Sequence, residues 1–144
     1  MNKPILLCTA MLLATAGLAR AEVNPIEVRQ TGMALLSGDF LAIRTVIAAK
    51  DDVKKLENPA KAMQRWAALV PSLFPKGSET GGNTKALPEI WSDMAGFQKA
   101  AADLGIEAGK LAVAAKAGDA DAVAALAKPI GDACGACHKT YRAK

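Results

Sequence analysis

The 144-residue chain is poor in the side chains that build most metal and catalytic centres: it has one histidine, His138, and three cysteines. Cys8 falls in an apolar N-terminal stretch, so Cys134 and Cys137 are the only thiols of the remaining chain. A structural zinc site would need further Cys or His ligands that the sequence does not contain. Aromatics make up 4% of the residues and runs of β-branched residues are scarce, which leaves no alternating strand pattern. No internal repeat or low-complexity segment is present. Charge of one sign is also lacking. The formal net charge is +4, the basic residues are scattered, and Lys54-Lys55 is the only adjacent pair. That distribution reads as solvated helix faces and gives no nucleic-acid or anionic-membrane surface.

What is present begins with a leader. Lys3 precedes an apolar run from Ile5 to Leu18, and Ala19-Arg20-Ala21 follows as a small-x-small cleavage pattern. The run is short for a bilayer span. Leu7 before Cys8 is bulky where a lipidation site requires a small residue. The expectation is a cleaved signal peptide over 1–21 and one domain over 22–144. Loss of Lys3 and Arg20 takes two of the 18 basic side chains, leaving +2.

The domain reads as all-α. Asn24-Pro25-Ile26-Glu27 opens a first helix with a capping Asn and Pro at the first helical position. Its apolar stripe runs Ile26, Met33, Leu36, Phe40, Ile43 and Ile47. A second helix is expected to open at Asn58-Pro59, carry Met63, Trp66, Val70 and Leu73, and close at Pro71 and Pro75. A Gly-rich loop from Lys76 to Lys85 follows. The third helix, expected to be the longest, runs from Ile90 and Met94 through Leu104 to Ala115 on alternating steps of four and three. Gly118-Asp119 ends it, and Asp119 caps a fourth helix carrying Val123, Leu126, Ile130, Cys134, Cys137 and Tyr141. Pro129 inside that helix predicts a kink or a short break. Four amphipathic helices with mostly short connections predict an antiparallel up-down-up-down four-helix bundle.

Cys134, Cys137 and His138 stand at i, i+3 and i+4, so their side chains leave one helix face. Cys-x-x-Cys-His in an exported chain is the signature of covalent haem attachment, with one haem c per motif. The two thiols add to the haem vinyl groups as thioethers, and the adjacent imidazole reaches the iron. Gly135 and Ala136 are small enough to let the porphyrin edge lie close. A redox Cys-x-x-Cys sits instead at a helix N-terminus in a βαβ setting. Since His138 is the only histidine, the sixth iron position is empty, taken by an external ligand, or taken by a methionine. Met33, on the inner stripe of the first helix, is the leading candidate. It serves equally well as a soft core side chain, and spacing does not separate the two. Met63 and Met94 read as core.

A haem motif on the last of four helices resembles cytochrome c′ and its low-spin class II relatives. Arg29-Gln30 on the first helix, Leu73-Phe74-Pro75-Lys76-Gly77, Pro88-Glu89-Ile90-Trp91-Ser92-Asp93 and the terminal Cys-x-x-Cys-His-x-x-Tyr-Arg extend the resemblance over the whole domain. The resemblance implies a periplasmic haem protein, in many members a homodimer through the first two helices. It implies that Cys134 and Cys137 bind haem, that His138 ligates iron, and that Arg29, Gln30 and Thr84 contact the haem edge or propionates. Arg142 matches a basic residue near the proximal face, and Lys85 stands where some members carry an acidic side chain. Met33 falls at the family's distal residue. An apolar residue there leaves iron five-coordinate and open to nitric oxide or carbon monoxide; a methionine near this point binds iron in low-spin members. Methionine also occurs there in five-coordinate members.

The leading expectation is one-electron transfer, with small redox proteins or membrane respiratory complexes as partners. The alternative is capture of nitric oxide or carbon monoxide at an open distal site. An enzymatic role is not expected, since no distal histidine or acid–base pair is available.

Overall fold

The computed structural model describes residues 23–144; the expected signal peptide, 1–21, lies outside the described residues. Helix α1 spans Pro25–Ala49, α2 Glu57–Leu69, the single turn α3 Glu89–Ser92, α4 Met94–Ala117 and α5 Ala120–Tyr141. Two 3-10 segments, Val53–Leu56 and Val70–Leu73, lead into and out of α2. The four longer helices form the bundle. α4 packs against α2 and α5, and α1 closes the ring against the same two.

Helix ends follow local chemistry. Asn24 Oδ1 accepts from the Ile26 amide at 2.9 Å, with Pro25 at the first helical position. Asp119 Oδ1 accepts from the Ala122 amide at 2.9 Å, and Gly118 ends α4 in the left-handed region at φ 75°. Three expectations need correction. The second helix begins before Asn58: the chain enters it through the Val53–Leu56 turn, capped by Asp52, whose side chain accepts from the Lys54 amide. Asn58 is therefore an ordinary residue of the first α-turn. The third segment is not the longest. Asp93 adopts φ −128° and ψ 58°, splitting α3 from a 24-residue α4, so α1 is longer at 25 residues. Asp93 turns because its own Oδ1 caps α4 at the Gly96 amide (3.0 Å). Finally, the short break that Pro129 allowed does not occur: α5 is one helix from Ala120 to Tyr141.

The core has two parts. One, around Ile43, Leu56, Met63, Leu111, Val123 and Ile130, is mainly aliphatic, and Cys134 packs against its edge. The other is built on Val70, Phe74, Ile90, Phe97 and Tyr141, with Met33, Met94, Trp66 and Cys137 against it. Aliphatic burial closes the first end; the second is walled by rings around a void. Among the described residues, the five ion pairs all join side chains three or four apart in sequence, four of them within one helix, and such pairs add little beyond local support.

Candidate functional site

A cavity of about 240 Å3 opens in the aromatic half of the bundle. Met33 from α1 and His138 from α5 both line it, together with Cys137. Phe74, Ile90, Phe97 and Tyr141 form its apolar wall. The rings pack edge to face, with centroids 4.9 Å apart for Phe74 and Phe97 and 5.1 Å for Phe97 and Tyr141. The Tyr141 hydroxyl donates to Asp93 Oδ2 at 3.0 Å, which ties the end of α5 to the α3–α4 junction. Arg29, Gln30, Thr84, Lys85 and Arg142 make the polar end.

Arg29 is buried, with 3% exposure. Its Nη1 donates to Ser78 Oγ (2.9 Å) and the Leu73 carbonyl (3.2 Å); its Nη2 donates to the Ser78 carbonyl (2.7 Å) and Thr84 Oγ1 (2.9 Å). The guanidinium also lies over the Phe74 ring, 4.4 Å from its centroid. All those partners are neutral. Burial pushes the guanidinium down from its ordinary range, and the Glu79 carboxylate opposes only part of that. Gln30 Nε2 donates to the Gly82 carbonyl at 2.8 Å. The loop reaches these partners because Gly81, Gly82 and Asn83 all take positive φ, and a Cβ at Gly82 would stand 3.0 Å from Ile26 Cγ2.

The other side is a strap. The Leu87 amide donates to the Tyr141 carbonyl (3.0 Å), the Ala143 amide to the Lys85 carbonyl (2.8 Å), and Ala86 bridges to Arg142. These bonds bring Lys85 and Arg142 to one rim. Burial pushes the Cys134 and Cys137 thiols up and the His138 imidazole down, with Arg142 adding to the latter. Each shift favours the neutral form of its group, and a neutral imidazole is the form that can donate a lone pair to a metal.

Of the residues expected from sequence, Arg29, Gln30, Met33, Thr84, Cys137 and His138 are brought to one cavity. Cys134 lies one turn back on α5, half-buried against the aliphatic core, and does not line it. Met63 is fully buried in the aliphatic core and Met94 packs against the aromatic one, as expected. Ser78 and the Phe97 wall were missed. Phe97 lies three residues after Met94, on the same four-and-three spacing, but Ser78 carries no signal within a polar loop.

Residues 24–142 match the family described as Cytochrome C′. The chain belongs to the cytochrome c′ family. It is 33% identical over 121 residues to cytochrome c-556 of Agrobacterium tumefaciens (strain II Chrys), covering 83% of this chain and 97% of that one. Its fold is similar to the crystal structure of cytochrome c′ from Thermochromatium tepidum, with a TM-score of 0.78, 30% identity, and coverage of 86% and 100%. It is also similar to a nitric oxide complex of a mutant cytochrome c′ from Alcaligenes xylosoxidans, with a TM-score of 0.74, 31% identity, and coverage of 83% and 94%. Cytochromes c′ carry one covalently bound haem c, and this chain is a haem protein of that family. The cavity fits such a group. Its rings and aliphatic wall suit a porphyrin face, and at its polar end a buried guanidinium lacks a carboxylate partner among the described residues.

Proposed function

We propose that this chain is an exported, periplasmic one-electron carrier, with residues 1–21 removed on export. Cys134 and Cys137 hold haem c by thioethers, His138 ligates the iron from α5, and Met33 caps it from α1. The observation that carries this reading is the placement of Met33 and His138 in the lining of one cavity, on different helices. When bound, haem c supplies an iron that changes oxidation state by one electron. The chain's residues do the rest. Phe74, Ile90 and Phe97 exclude water and set a low dielectric around the site. Arg29, with Gln30 and Thr84 beside it, offers the propionates a buried cation. With Met33 and His138 carried on two helices of one bundle, little would reorganise when bound haem changes its charge by one electron. The proposed role is binding and electron transfer without catalysis.

Protein-film voltammetry, paired with carbon monoxide addition to the ferrous protein, tests this reading. A reversible one-electron couple and slow, Met33-limited carbon monoxide binding are expected. A high-spin protein that binds the gas with Met33 and Met33→Ala rates alike would overturn it. That outcome favours the second reading, capture of nitric oxide or carbon monoxide at an open distal face. It is supported by the nitric oxide complex of the A. xylosoxidans relative.

A further inference from the structure

Helix α1 buries few residues completely, although Met33, Leu36, Phe40, Val46 and Ile47 also pack against the cores. Its buried residues are Ile26, Arg29, Gly32 and Ile43, so between Arg29 and Ile43 only Gly32 is buried. Leu35 and Leu41 point outward, at 68% and 63% exposure. What fills the place of the missing Gly32 side chain is Trp66 of α2: a Cβ on Gly32 would stand 1.8 Å from Trp66 Cζ2 and 2.4 Å from Cε2. A mid-helix glycine is unfavourable for α1 taken alone. Its place here is explained by the indole seated against the bare backbone. The fit also has a cost on the partner's side. Trp66 Nε1 is buried with no hydrogen-bond partner, an arrangement that folded proteins avoid unless packing compensates.

Met33 is the next residue after Gly32, and both Met33 and Trp66 pack against the same aromatic cluster. We propose that Trp66 is a positioning residue: seated on Gly32, it sets how far α1 stands from α2 and so where Met33 sits across the cavity from His138. Ring size at Trp66 thereby tunes access to the distal face. The proposal rests on Met33 facing the haem iron, whether as a ligand or as a cover over an open site.

A double-mutant cycle on the haem-loaded full-length protein tests it. The readout is the carbon monoxide association rate of the ferrous form in wild type, Trp66→Phe, Met33→Ala and the double variant. Trp66→Phe is expected to change the rate by at least about fivefold when Met33 is present and to have no effect beyond about twofold in the Met33→Ala background, as coupled neighbours do. An equal effect in both backgrounds, or no effect in either, overturns the proposal. If Trp66→Phe does not fold, Gly32→Ala displaces the indole from the opposite side and must show the same dependence on Met33. Failure of iron ligation itself is seen separately, in the wild-type ferric spectrum. A high-spin spectrum there would leave the cycle readable, because Met33 would still govern gas entry as a cover.

Discussion

At the residue scale, two features of the sequence carry the chemistry directly. Cys134, Cys137 and His138 lie within five positions on α5, so helix geometry alone makes them one face. Replacing Cys134 and Cys137 with Ala should leave haem extractable by acid acetone; haem that stays with the protein would refute the thioether assignment. Arg29 was legible only in part. Its place on the first helix beside the inner stripe was visible, but its neutral partners come from a loop 44 to 55 residues away, which no local pattern encodes. Loss of the guanidinium in Arg29→Met strands the Leu73 and Ser78 carbonyls, at about 1–3 kcal/mol for each buried acceptor left unpaired. Urea denaturation of the haem-loaded variant should show a loss of that order. A change within experimental error would mean that the loop finds other partners.

At the scale of elements, caps were readable and internal breaks were not. Asn24 and Asp119 cap the helices that their sequence context predicted, because an N-cap bond spans only two or three residues. Truncating Asp119 to Ala should lower thermal stability by about 1 kcal/mol, the common value of such a cap; an unchanged melting temperature would show that the helix end is held by packing alone. Asn58-Pro59 looked like another cap, yet the turn from Asp52 to Leu56 already has its own, and burial of Val53 and Leu56 draws that turn into the core. The split at Asp93 reflects competition within one side chain. Its two oxygens serve the Gly96 amide and the Tyr141 hydroxyl, and the second partner is 48 residues distant.

At the scale of the whole molecule, the bundle divides labour along its axis. The aliphatic end supplies stability: Ile43 is fully buried there, and Ile43→Ala should cost about 2–5 kcal/mol of unfolding free energy while leaving the haem spectrum unchanged. A spectral change in that variant would show that the two ends are coupled. The aromatic end gives up close packing to hold a cofactor, and along α1 only Ile26, Arg29, Gly32 and Ile43 are buried. Leu35 and Leu41 leave an exposed apolar face on α1, the helix through which the family resemblance implies a homodimer. The fold class was legible because the helical period persists through four segments. The cavity was not, since it exists only where segments distant in sequence fail to meet.

The most direct test of the central claim is the ferric optical spectrum of the wild type beside that of Met33→Ala. If Met33 caps the iron opposite His138, a weak sulfur-to-iron charge-transfer band near the red end of the visible appears in the wild type and vanishes in the variant. A high-spin spectrum that is the same in both would contradict Met33 ligation and leave this chain a gas binder with an open distal face.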